Sequence, residues 1–201
     1  FWLQQNLFDD KLSLLLGLFD LNSEFDTRET SALFLNPSHG IGPDFAQICE
    51  TGPSIFPVTA LAFRVNYQPV ENVFIKADVF EGEAGDPDNP NGTRIKLKDE
   101  HSVLLTTEIG YTTNAETFGK GYSKIAIGAW LHTDDYQLLE QPLSSITPLS
   151  KKGNKGFYIS AEKFLYSEPF NDEQGLAGFV RTGIADDKIN VIYAKNHFVE
   201  N

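Results

Sequence analysis

Charged side chains in this sequence recur where a soluble fold would place its apolar core. Arg64, Lys76, Asp78, Glu108, Lys124, Glu162 and Arg181 each interrupt a run of aliphatic and aromatic residues, and each alternates with greasy neighbours. Groups of both signs on strand faces demand water or ionic partners, because an unpaired buried charge is strongly destabilising. Solvating a wide, water-filled space is one role for them. The other is chemical: a carboxylate pair such as Glu108 and Glu162 could serve as the acid and base of glycoside hydrolysis. No serine elbow accompanies them, and Gly40, Gly42 and Gly52 precede no helical pattern of the kind that builds a phosphate loop.

The elements that must hold these residues read as β-strands. Period-2 alternation bounded by turn residues predicts about eight, over residues 1–7, 12–19, 58–67, 73–80, 103–112, 122–131, 157–166 and 176–185. In the most regular, Val103, Leu105, Thr107, Ile109 and Tyr111 share one face, and Leu104, Thr106, Glu108, Gly110 and Thr112 the other. Leu61, Phe63, Val65 and Tyr67 oppose Ala62, Arg64 and Asn66 in the same way, as Val73, Ile75, Ala77 and Val79 oppose Phe74, Lys76, Asp78 and Phe80. Sixteen Phe and seven Tyr suit strands, and sixteen Gly with ten Pro suit the turns between them. Most segments approach the ~9–11 residues of a tilted strand crossing a bilayer, whereas soluble strands average ~5–6.

The connections alternate in length. Residues 9–11, 68–72, 114–121 and 167–175 are short or medium, and residues 20–57, 81–102 and 132–156 are long. Tight turns on one rim and long loops on the other are the asymmetry of an antiparallel transmembrane β-barrel. That all-β architecture is the expected fold class, with residues 1–201 as a single partial domain. An eight-stranded barrel is filled by its own side chains. The charged inner face therefore argues for a wider barrel, of which this chain is about half. The chain opens inside a strand without a basic n-region, and residues 186–201 read as loop, so strands are expected to be missing at both ends. Phe8, Phe19, Tyr67, Phe80, Tyr111, Tyr122 and Tyr166 sit at strand ends, where an interfacial girdle would fall, although aromatic residues are common in strands generally.

Several function classes drop out. A net charge of −12 argues against a nucleic-acid duplex as partner, because phosphate binding needs clustered Lys and Arg. Cys49 has no disulfide partner or metal-ligand neighbour, and His39, His101, His132 and His197 lack ligand spacing and read as surface residues. Residues 86–93 match a Ca²⁺ loop in outline only, since Pro90 takes a ligand position and no Glu follows at the right distance. No metal or other cofactor is expected. No apolar run reaches the ~20 residues of a transmembrane helix.

The segment 22–57 is rich in Gly and Pro, yet it contains Phe25, Leu33, Phe34, Leu35, Ile41, Phe45, Ile55 and Phe56, more apolar groups than a solvated loop needs. Either it folds into the barrel and narrows it, or it packs over the rim as a lid or subunit contact. Its motifs are specific. Gly17-Leu18-Phe19-Asp20-Leu21-Asn22-Ser23-Glu24-Phe25, Leu33-Phe34-Leu35-Asn36-Pro37-Ser38-His39-Gly40-Ile41-Gly42-Pro43-Asp44-Phe45 and Gly52-Pro53-Ser54-Ile55-Phe56-Pro57 come first. With the following Val65-Asn66-Tyr67-Gln68-Pro69 and Gly82-Glu83-Ala84-Gly85-Asp86-Pro87, this ordered series resembles the carbohydrate-selective porin (OprB-like) family.

That resemblance implies a barrel of roughly sixteen strands in the bacterial outer membrane, bathed in its lipid. It would pass sugars and other small solutes without a chemical step, through a loop-narrowed channel lined with charged and aromatic residues. A monomer and a homo-oligomer such as a trimer both stay open. Aromatic faces would stack on the C–H faces of a sugar, and Arg, Asp and Glu would exchange hydrogen bonds with its hydroxyls. The pore-lining, solute-contacting candidates are then Arg64, Lys76, Asp78, Glu108, Lys124, Trp130, Glu162 and Arg181, with Asp44 and Phe45 from the long loop. Each could equally solvate the wall without selecting anything; Arg64 and Arg181, in mid-strand, are best placed to reach across a pore. Two rivals remain. A soluble β-sandwich carbohydrate-binding module would use the same residues without needing detergent, and a glycoside hydrolase would lose its turnover in Glu108→Gln.

Overall fold

Strict alternation gives each strand an apolar and a polar edge, and strands so patterned pair with their chain neighbours to build one two-faced sheet. The computed structural model describes residues 1–48, 52–85, 102–116, 118–141, 147–190 and 198–199, with residues 171–173, 198 and 199 in backbone only. Its strands are β1 (Trp2–Leu7), β2 (Leu12–Phe19), β3 (Ala60–Val70), β4 (Val73–Glu81), β5 (Val103–Thr113), β6 (Ser123–Gln137), β7 (Ser150–Glu168), β8 (Asn171–Ala185) and the two-residue β9 (Phe198–Val199). All nine lie in one sheet in sequence order, every adjacent pair antiparallel. Among the described residues the sheet does not close on itself.

The predicted strands are all present, but four connections are corrected, the first being 68–72, which shrinks to Glu71-Asn72 as β3 runs on to Val70. β6 runs on to Gln137 and β7 starts at Ser150, so much of the expected 132–156 loop is strand. Its polar residues carry no alternation to read, yet the backbone ladder continues past a register shift, with Asp135 opposite Lys152. The expected 167–175 turn shrinks to Pro169-Phe170 between β7 and β8, and Phe198–Val199 adds a strand inside the expected terminal loop.

The two faces differ as the alternation requires. One exposes Leu16, Phe63, Val79, Leu105, Ile109, Ile125, Ile127, Leu131, Phe157, Ile159, Val180 and Ile184, each 38–52% accessible. An apolar surface this extensive is foreign to a soluble monomer and natural against lipid. Of the expected girdle, Phe8, Tyr67, Tyr111 and Tyr166 are exposed at the short-turn end, whereas Phe19, Phe80 and Tyr122 are buried. Phe19 and Phe80 pack edge to face, ring centroids 5.2 Å apart, inside the core. Their position near a strand end was readable, but the parity that turns them inward decides their role.

What buries the inner face is the loop after β2. It contains short 3₁₀ turns at Leu21–Ser23, Thr30–Leu33 and Pro37–His39 and one helical turn, α1 (Pro43–Ala46), where no helical pattern was readable. Asp20 and Asn36 cap the first and third of the 3₁₀ turns by accepting from Ser23 N and Ser38 N, and Pro43 opens α1 where a missing N–H costs nothing. Leu21, Phe25, Ile41, Phe45 and Ile48 sink into one cluster with Phe19, Ala60, Phe80, Leu104, Trp130 and Tyr158 from the strands. Of the two placements open to the segment, packing against the inner face is the one observed. Leu33, Leu35 and Phe56 stay exposed.

Candidate functional site

Glycines on the inner face make room for large side chains from the adjacent strand. Phe74 is the cross-strand partner of Gly110, Tyr158 of Gly128 and Trp130 of Gly156. A Cβ at those glycines would lie 2.2, 2.2 and 2.5 Å from the respective rings, so only Gly lets the rings lie over the neighbouring strand. Gly42 and Gly183 do the same for the Arg181 guanidinium, which a Cβ at either would strike.

Arg181 is the centre of a buried ionic cluster joining strand to loop. Its Nη2 lies 3.0 Å from Asp26 Oδ2 and its Nε donates to the same oxygen at 3.2 Å. The fork also grips Asp44, through Nη1 to Oδ1 and through Nη2 to Oδ2 at 3.1 Å. Asp26 accepts further from Arg28 and from Gly42 N (2.9 Å). Arg28 Nη2 in turn donates to the carbonyls of His39 (2.8 Å) and Gly40 (3.1 Å). Two guanidinium groups thus balance two carboxylates, which is how buried charge is tolerated.

The carboxylates on β5 and β7 take up backbone N–H groups that the irregular loop leaves unpaired. Glu108 Oε2 accepts from the Tyr158 hydroxyl (2.5 Å) and Asp26 N (3.2 Å). Glu162 accepts from Glu29 N (3.2 Å), Thr30 N (2.9 Å) and the Tyr122 hydroxyl (2.7 Å). Burial, with Glu162 adding to it, pushes the Tyr122 phenol well above its ordinary value, so it remains a donor. The lysines handle loop carbonyls: Lys76 Nζ donates to Glu24 O at 2.6 Å, and Lys124 Nζ to Thr27 O at 2.7 Å. Arg64 donates to Ser13 Oγ (3.3 Å) and lies 3.5 Å from Glu24. Phe45 stacks on Trp130, with centroids 5.6 Å apart and planes 3° from parallel. Asp78 is buried beside Arg64 in the β3–β4 register.

Toward the short-turn end the loop leaves a polar cleft of about 440 Å³, lined by Glu29, Asn66, Phe74, Lys76, Tyr122 and Lys124 among others. Both lysine ammonium groups stand over the Phe74 ring, at 5.3 and 5.9 Å. At the opposite, long-loop end the His132 Nε2–H donates to Gly82 O (2.9 Å), and the Tyr136 hydroxyl reaches Ile48 O. Asn154 and Asn190 exchange reciprocal bonds of 2.8 and 2.9 Å beside them. His39 and His132 are therefore interior groups, against the surface role expected of them; His101, His197, Cys49 and residues 86–93 lie outside the described residues. Among the described residues no cluster of three or more His, Cys, Asp or Glu could hold a metal ion.

A family model for the carbohydrate-selective porin, OprB family, matches residues 1–197. The chain belongs to that family. A solved structure, the high-pH structure of OprB from Pseudomonas putida, matches with a TM-score of 0.79 at 18% identity, over 96% of this chain and 46% of that one. The likeness is one of fold, and the chain spans about half the length of that relative. No curated protein matches the sequence. As a member of a porin family the chain is an outer-membrane protein of bacteria, and its strands cross that membrane with their apolar face to lipid.

In this porin chain all the candidates named from sequence converge on one surface: the eight strand residues stand on the inner face, and Asp44 and Phe45 are pressed against it. Sequence reasoning missed Asp26, Arg28, Phe74 and Tyr158. Tyr158 and Phe74 share the inward parity of Glu162 and Lys76, a usable signal. Asp26-Thr27-Arg28 is a polar trio with two charges inside an apolar loop, and nothing short of the tertiary register shows that Arg181 lies opposite.

Proposed function

We propose that residues 1–201 form part of a single barrel domain whose lumen passes sugars and other small solutes passively, with the loop after β2 as its constriction. The observation that carries this reading is the docked loop. It lies on the inner face of a porin sheet, held there by Arg181, Glu108, Glu162, Lys76 and Lys124, so it occupies cross-section a solute would otherwise use. Charged groups beside the polar cleft suit weak, reversible bonding to hydroxyls, and weak binding is what a conducting site requires. The sandwich alternative is disfavoured because, among the described residues, the strands form one sheet whose apolar face stays exposed, and the hydrolase alternative because Glu162 through both oxygens and Glu108 through Oε2 hold loop backbone N–H groups.

Planar-bilayer conductance of the full-length protein, with sugars added as blockers, is the direct test. Ohmic channels whose current falls on sugar addition are expected. Absence of conductance removes the channel reading, and conductance indifferent to every sugar removes its carbohydrate part.

A further inference from the structure

The wall beneath the loop has a defect in its polar pairing. Asp78, Thr106 and Trp130 are successive cross-strand partners on β4, β5 and β6, so their side chains stand in one row on the inner face. They are only 3, 4 and 3% accessible. Yet among the described residues both Asp78 carboxylate oxygens, the Thr106 hydroxyl and Trp130 Nε1 have no hydrogen-bond partner, and neither does Glu108 Oε1 one step along β5. Native interiors pair nearly all such atoms, because an unpaired one bears its full desolvation penalty. The face of the Trp130 indole is meanwhile taken by Phe45, parallel to it and also 5.9 Å from Tyr158. Phe45 belongs to the loop and is the neighbour of Asp44, which Arg181 holds.

We propose that the Asp78–Thr106–Trp130 row is a binding subsite for a neutral pyranose, closed at rest by Phe45, which occupies the sugar's place on the indole. The inference rests on the sugar-channel reading and adds to it a competition between solute and loop for one surface. A pyranose supplies what the row lacks. Its hydroxyls donate to Asp78 and Glu108, one of its oxygens accepts from the indole N–H, and its C–H face replaces the phenyl ring on Trp130. With both Asp78 oxygens and Glu108 Oε1 lacking donors, a sugar carboxylate, which donates nothing, is a poor occupant. Docking of the loop leaves these groups unpaired, so the closed arrangement yields to a solute that pairs them.

The test is sugar block of the full-length protein in planar bilayers, with glucose as the neutral probe and glucuronate as the acidic pyranose. Phe45→Ala should raise the open conductance and also strengthen glucose block by about three- to tenfold, because the competitor has gone. A purely steric constriction gives the opposite sign, a wider pore and weaker block. Phe45→Leu, which fills most of the space but cannot stack flat, should move block the same way by less. Adding Asp78→Asn or Trp130→Phe to Phe45→Ala should cancel most of the gain, and glucuronate should block less than glucose throughout. Unchanged or weaker glucose block in both Phe45 variants overturns the subsite while wild-type block keeps the sugar channel. Loss of all sugar block, in wild type and variants alike, overturns both.

Discussion

Arg181 shows how one residue on a strand can set the position of a whole loop. Its guanidinium serves Asp26 and Asp44 together, lies 5.2 Å from the Tyr158 ring centroid, and fits only because positions 42 and 183 lack side chains. Removing one partner of a buried ionic cluster leaves the others uncompensated, at a cost of about 3–5 kcal/mol. Arg181→Met should therefore release the loop from the wall while the barrel still forms. Single-channel recordings should show a larger, noisier conductance, and limited proteolysis should cut between residues 24 and 47 faster than in the parent. Unaltered conductance and cleavage would mean that the apolar contacts of Phe25 and Phe45 hold the loop by themselves. Gly183→Val acts on the same pair from the other side, since even a Cβ there lies 2.2 Å from Asp44 Oδ2, and it should give the same phenotype.

At the scale of the strand, function depends on parity. Ala129 on β6 faces outward among Leu131, Ile127 and Phe157, while Asn66 on β3 faces inward opposite Lys76. Ala129→Arg places a charge against mid-bilayer lipid and should cost ~2–4 kcal/mol of folding stability. Asn66→Glu gains an ammonium neighbour in a polar cleft and should stay within ~0.5 kcal/mol of the parent. Urea titrations of the full-length protein refolded into lipid vesicles read both, and equal penalties would show that the two faces are misassigned. The long β6–β7 hairpin illustrates what parity cannot reach. Beyond His132 the strands carry polar residues on both faces, because neither lipid nor a packed loop selects a side there, and only the backbone ladder defines them.

Across the whole molecule, loop and sheet are separable in energy but joined in function. The sheet is held by ladders between consecutive strands and by lipid on its apolar face; the loop adds a core on the inner side. Replacing residues 24–47 by a short Gly/Ser turn should leave a folded β-barrel in detergent by far-ultraviolet circular dichroism, because Arg64, Lys76, Glu108, Glu162 and Arg181 then face water. Conductance should rise severalfold as the constriction goes. Collapse of the β signal instead would mean that the inner core is required for the barrel to fold. Much of this was written in the sequence: alternation marked the strands, the short and long connections marked the rims, and parity put Arg64, Glu108 and Arg181 on the inside. These are local properties, since a side chain's face follows from its position modulo two. The tertiary structure alone decided that the loop turns inward, that Asp26 and Asp44 meet Arg181 across more than a hundred residues, and that Asp78, Thr106 and Trp130 stand in one row with Phe45 on the indole. Such pairings depend on the register between distant strands and on how an irregular segment satisfies its backbone, and neither leaves a periodic trace in the chain.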